Sequence, residues 1–171
     1  TNGEVFRDTV GTFSAVRAEL LAGYPHDLWI TKLAARCMQM AQAGQYNLPR
    51  SLVRNDRPAA MLCQSRFLEA ACSFVAILNK RWLPFYKHAV RFAETLPLLG
   101  ENLAKVASIL ACQQDPEACV VGIEDFCSEV SDFLRENRLS QAEGNWLWTH
   151  GPSLMQRVRD PLLRRQDLLH L

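Results

Sequence analysis

Apolar residues in this chain return every three or four positions, and nowhere at every second one. Between Tyr24 and Gly44, the residues Ile30, Leu33, Cys37, Met40, Ala41 and Gly44 fall on one stripe of a helix. Ala60, Phe67, Leu68, Ala71, Phe74, Val75 and Leu78 repeat the pattern further on. No stretch alternates between turn residues as a half-buried strand would. The 171 residues suffice for one full hydrophobic core. They predict an all-α fold, an irregular bundle of about six to eight helices in a single domain over residues 1–171.

The punctuation places the helices. The first runs from Thr12 to Ala22 and is closed by Gly23. Pro25 and Asp27 open the second, which "GQYNLPR" is expected to break. Asn55 or Asp56 caps the third, with Pro58 in its first turn, and it continues to about Trp82. Pro84 starts a helix to about Thr95, and another runs from Glu101 to about Gln113. "QDPE" opens an acidic helix to about Asn137, and the tail from Glu143 reads as two or three short helices interrupted by "HGP" and "RDP".

The six cysteines show no metal-ligand spacing, and the four histidines form no i,i+4 pair, so no metal site is expected. Cysteines placed beside apolar neighbours read as core thiols, which suits a reducing cytoplasm. No stretch reaches the roughly 18 uncharged apolar residues of a membrane span, and no secretory signal is visible. The chain opens without methionine in what reads as a linker, so it is expected to be part of a longer protein.

Charge is unevenly spread. Lys32 to Arg91 holds ten cations against only Asp56 and Glu69, and such a field attracts anions. Its densest point is "NKRWLPFYKH", residues 79–88. Lys80 and Arg81 would sit in a last helical turn, where cations are favoured anyway. Lys87 would lie near a helix start, where a cation is disfavoured, and that misplacement points to a ligand. Lys80, Arg81 and Lys87, with Tyr86 beside them, form a candidate nucleotide-phosphate seat. Glu69, Ser73 and Lys80 share one stripe of the third helix. Glu69 is either a salt-bridge partner of Arg66 or Arg36, or a general base for an acceptor hydroxyl. The second helix carries Lys32, Arg36, Gln39 and Tyr46 on its polar face.

The segments "NGEVF", "YPHDLWITKLAARCMQMAQAGQYNLPR", "RFLEAACSFVAILNKRWLPFYKHAVR", "LPLLG" and "RDPLLR" together resemble an uncharacterised helical domain. That domain follows a nucleotidyltransferase domain of the polymerase-beta superfold, as in aminoglycoside nucleotidyltransferases. The resemblance implies a C-terminal half that closes over nucleotide and acceptor, joined to an N-terminal catalytic half. It places Lys80, Arg81, Tyr86 and Lys87 at the cleft and Glu69 as the acid of "FLEA". Arg36, Gln45 and Tyr46 are then expected to contact substrate. His88 departs from the aromatic residue expected after the lysine.

The Gly-Ser turn and Asp-x-Asp pair that hold magnesium and ATP in such enzymes are absent here. The chain alone is therefore expected to bind no metal and to turn over nothing. In the complete enzyme, an acceptor hydroxyl of a small molecule or protein would attack an α-phosphorus. Two other readings stand beside this one. Arg81 and His88 have the Arg-x6-His spacing of helical ribonucleases, although nucleic acid is not the expected partner. The acidic helix from Glu117 to Glu136 would suit a protein-interaction module.

Overall fold

A computed structural model describes residues 4–112 and 115–171, and all regular structure among them is helical. The elements are α1 (Thr12–Leu21), α2 (His26–Met40), a π-helical stretch (Ala41–Asn47), α3 (Leu48–Val53), α4 (Arg57–Leu78), a 3-10 turn (Tyr86–His88), α5 (Ala89–Ala93), α6 (Gly100–Cys112), α7 (Pro116–Glu136), α8 (Leu147–Met155) and a second 3-10 turn (Leu163–Arg165). Asn2, Gln113 and Gln114, which the sequence reading used, lie outside the described residues.

Packing is centred on α2, which lies against both α4 and α8, while α6 packs on α7. Ile30, Leu33 and Met40 of α2 meet Phe67 and Phe74 of α4, Ile123 and Leu134 of α7, and Leu147 and Leu154 of α8 in one core. Helix α4, with 22 residues, is long and apolar enough to cross a membrane by length and mean hydropathy. It carries Arg66 and Glu69, so no uncharged run of that length exists, and half of its 18-residue apolar window is buried inside the fold. That is the position of a core helix.

The caps read from sequence form. Asp56 Oδ1 accepts from the Ala59 amide at 3.1 Å. Asp115 Oδ1 accepts from Glu117 and Ala118 at 2.9 and 3.2 Å. Both satisfy amides that a helix start leaves without partners.

The helix expected from Pro84 to about Thr95 is a 3-10 turn (Tyr86–His88) followed by the short α5 (Ala89–Ala93), and three further boundaries differ from expectation. Helix α4 ends at Leu78 rather than Trp82. The Lys80 and Arg81 amides bond back to the Ile77 and Ala76 carbonyls at 2.9 and 2.8 Å, with Lys80 left-handed at φ 55°. This is a Schellman closure in which lysine takes the position glycine usually fills. Lys80 and Arg81 therefore lie beyond the helix, and Lys87 sits in a 3-10 turn ahead of α5.

"GQYNLPR" does not break the second helix. A π-helical stretch carries the chain from α2 into α3, and Pro49, which has no N–H to give, falls in the first turn of α3 where none is needed. Gly44 is required there: a Cβ would lie 2.5 Å from Phe67 Cδ2 and 2.9 Å from Ile123 Cγ2. "HGP" likewise lies inside α8. A Cβ on Gly151 would stand 2.5 Å from Met38 Cγ, so the close approach of α8 to α2 holds a helix that local propensity would end.

Cys37, Cys72, Cys119 and Cys127 are buried, as core thiols should be, whereas Cys63 is half-buried and Cys112 is exposed. Burial raises the four buried thiols above the usual range, Cys72 to about 12, which leaves them protonated and unreactive.

His150 is the fully buried ionisable group of α8. Its Nε2 faces the Gly144 carbonyl at 3.3 Å, and its Nδ1 has no partner. Burial pushes its pKa below 6.5, opposed by the Gly144 contact and assisted by Arg135. The folded protein thus binds this proton less tightly than the unfolded chain. The resulting stability is fully present above pH 6.5 and is expected to fall as pH drops from there towards the depressed folded value. Thermal melts across pH 8 to 5 should show that decline, and His150→Gln should flatten it. An equally steep decline in the variant would remove His150 as its source.

Candidate functional site

Where α2 and α4 run side by side, the polar stripes of both helices face one concavity of about 640 Å³. Arg36 and Gln39 come from α2, and Arg66, Glu69 and Ser73 come from α4 at the i, i+3, i+7 spacing of a single helix face. The π-helical stretch adds Gln42, Ala43 and Asn47 to the wall, and Leu83 and residues 169–171 also line it.

Arg36 organises this site. Its Nε donates to Ser73 Oγ at 2.7 Å, and its Nη1 donates to Gln39 Oε1 at 2.8 Å and to the Leu171 carbonyl at 2.6 Å. The Gln39 amide, oriented by that contact, donates to the Leu169 and Leu171 carbonyls at 3.2 and 3.1 Å. Arg36 is half-buried. Desolvation lowers its pKa, with Glu69 and Tyr24 pulling it back up, and a guanidinium stays charged under such a shift. Burial and the Arg36 charge also lower the pKa of Lys32, one turn earlier. The α2 edge is therefore a dense set of donors with positive charge.

Glu69 is exposed at the opposite wall. It forms no ion pair with Arg36 or Arg66: the side-chain pairs among the described residues are Lys105–Glu101, Arg135–Asp132 and His170–Asp167. Its carboxylate is left to meet whatever enters. A cationic donor edge opposite an unengaged carboxylate can hold a carbonyl or anionic group while accepting a proton from a neighbouring hydroxyl.

The other candidate residues are placed elsewhere. Gln45 is buried; its Nε2 donates to Glu124 Oε2 at 2.8 Å and to the Asn145 carbonyl at 2.9 Å, and its Oε1 accepts from the Leu147 amide at 3.0 Å. It clamps the π-helical stretch to α7 and α8 and does not line the concavity. Tyr46 lies under the Arg50 guanidinium at 3.9 Å, one turn along. Lys80 Nζ sits 5.5 Å over the Trp29 ring, and Tyr86 stacks on Phe85 at 4.6 Å. Lys80, Arg81, Tyr86 and Lys87 are exposed and are not in the wall of the concavity, although Leu83, midway along their segment, is.

A second concavity, of about 700 Å³, gathers His26, Asp27, Arg157, Arg159 and Arg164, which the sequence reading did not single out. Its polar groups hold the tail. Asp27 Oδ2 accepts from the Arg159 and Asp160 amides, both at 2.8 Å, while Arg157 and Arg164 donate to the Arg138 and Val158 carbonyls.

Residues 169–171 of the first concavity were also missed, because "DLLHL" carries no local mark of a partner 130 residues away. The polar stripe of α2 was the available signal.

No curated protein and no solved structure matches this chain. A family model does match residues 1–89, a span that includes α2, α4 and the Arg36, Gln39, Glu69 and Ser73 side chains. That span is more than half of the chain, and the protein belongs to the family described as a domain of unknown function, DUF4037.

Proposed function

We propose that this chain is the helical, ligand-binding half of a nucleotidyltransferase-type enzyme, and that the concavity between Arg36 and Glu69 receives the hydroxyl-bearing acceptor. The observation that carries the reading is the pairing of a half-buried, donor-rich Arg36 edge with a carboxylate that has no ion partner. The resemblance to helical domains that follow polymerase-beta-type domains supplies the reaction class. Helix α1 supports a joined N-terminal domain: it buries no side chain, and Phe13, Val16 and Leu21 stand 61%, 51% and 56% exposed. Apolar surface of this kind is what a neighbouring domain covers.

In the transfer, the acceptor oxygen attacks the α-phosphorus of a nucleoside triphosphate. The bond to the bridging oxygen breaks, pyrophosphate leaves with the bonding pair, and Glu69 takes the hydroxyl proton. Lys80, Arg81 and Lys87, on the segment that reaches the wall through Leu83, would offset charge on the departing pyrophosphate. No three His, Cys, Asp or Glu side chains gather among the described residues. These residues do not fit a magnesium site, which on this reading belongs to the joined domain.

Nucleotide titration of the full-length protein tests the proposal. Lys87→Ala is expected to weaken ATP or GTP binding roughly tenfold, as loss of one charge-assisted phosphate contact does. The difference should shrink in high salt, and the melting temperature should stay near that of the unmodified protein because Lys87 is exposed. A full-length protein that binds no nucleoside triphosphate, with or without magnesium, would sink the reading.

A further inference from the structure

The wall that faces Glu69 is partly made of the protein's own main chain. Among the described residues, the hydrogen bonds joining residues 168–171 to the rest of the fold all come from two side chains, Arg36 and Gln39. Both donate to backbone oxygens, so these hydrogen bonds read polypeptide main chain, while Leu168 packs against the hydrophobic core and adds an apolar contact. The segment brings its own shape. The His170 amide bonds to the Asp167 carbonyl at 3.1 Å, Asp167 Oδ1 accepts from the Leu169 amide at 3.0 Å, and His170 Nδ1 meets Asp167 Oδ2 at 2.8 Å. This self-contained turn aims the Leu169 and Leu171 carbonyls at Gln39. The Arg36 guanidinium, half-buried with no Asp or Glu side chain in ion-pair reach among the described residues, has the Leu171 carbonyl, Ser73 Oγ and Gln39 Oε1 as its hydrogen-bond partners.

We propose that Arg36 and Gln39 form a seat for a polypeptide turn, that residues 167–171 occupy it as a displaceable internal ligand, and that the acceptor is a protein or peptide segment that replaces them. The acceptor assignment rests on the nucleotidyltransferase reading; the seat itself does not. On that reading, a Ser, Thr or Tyr hydroxyl of the incoming segment supplies the attacking oxygen. Its proton passes to Glu69, the nucleotidyl group becomes attached to that oxygen, and pyrophosphate departs. A main-chain seat suits this chemistry because it fixes the backbone beside the reacting hydroxyl and leaves the side chain free to approach the carboxylate. The bound segment would at the same time keep the cavity closed until a better ligand arrives, an internal competition that makes the apparent Kd of any acceptor its intrinsic Kd divided by the fraction of time the seat is empty.

The test needs no nucleotide. A fluorescent, C-terminally amidated Gln-Asp-Leu-Leu-His-Leu peptide is titrated into the chain truncated after Gln166. Saturable binding is expected, at least tenfold weaker in Arg36→Ala and unchanged in Lys105→Ala, an exposed α6 residue that does not line the concavity. Should truncation unfold the chain, the same peptide in excess over the intact chain is read by hydrogen exchange. The amides of residues 169–171 should then lose protection while those of α4 keep theirs. Saturating peptide that changes neither signal, or that binds Arg36→Ala as tightly as the unmodified chain, overturns the inference. Peptide binding with no nucleotide binding by the full-length protein would leave the seat standing and remove the transfer reaction. Nucleotide binding without peptide binding would do the reverse.

Discussion

Alanine in place of Phe67 is expected to lower the stability of this domain by about 3–5 kcal/mol, the range for emptying a fully buried phenylalanine site. Phe67 has no exposed surface and meets Phe126 edge to face, with centroids 6.1 Å apart and planes at 85°. Its ring also fills the space that Gly44 leaves open. It therefore joins α4, α7 and the π-helical stretch at one point. Collapse around the lost ring is opposed on three sides, so the cavity term should be retained. Against a total of about 5–15 kcal/mol for a typical domain, the loss is large. In a chain of this length each kcal/mol moves Tm by roughly 2–4 °C. Urea denaturation with a matched Tm measurement checks this. A loss under about 1 kcal/mol would show that Phe67 is not the junction described.

Glu69→Gln should separate chemistry from folding. The exposed carboxylate has no ion partner to lose, so stability should stay within about 0.5 kcal/mol of the unmodified protein. If Glu69 accepts the acceptor's proton, turnover of the full-length enzyme should fall by roughly 10² to 10⁴-fold, because the amide is isosteric but cannot serve as the base. Rate and melting temperature measured together decide the matter. A variant several degrees less stable with an unchanged rate would give Glu69 a structural role, and one unchanged in both would leave it a bystander.

Helix positions were legible where a side chain acts on its own neighbourhood. Asp56 and Asp115 cap amides within three residues, and the apolar stripe of α2 repeats at the helical period. Readings failed where distant packing overrode local preference. Pro152 continues a helix because α8 is pressed onto α2, and "GQYNLPR" continues one because Gly44 lets Phe67 approach. The site divides the same way. Arg36 and Glu69 were marked by periodicity and charge, and they do line one concavity. Gln45 was expected to contact substrate on the family resemblance alone. Its three hydrogen bonds go to residues 79 to 102 positions away, which no local pattern reveals. The turn that seats on Gln39 was hidden for the same reason.

Helix α1 gives the molecule two tiers of cooperativity. Ten residues are too few for a helix to persist by propensity alone in water, and α1 contributes no buried side chain to the core that α2, α4, α7 and α8 share. The Asp8 carboxylate accepts from the Gly11 and Ser14 amides at one end, and the Trp82 indole, from beyond α4, donates to the Leu20 carbonyl at the other. A helix that buries no side chain lies at the low end of the range of local opening free energies. Any body that covers Phe13 and Val16 does more than hide apolar surface. It recruits α1 into the cooperative unit, so docking at this end would be felt as ordering along the whole strap that leads into α2.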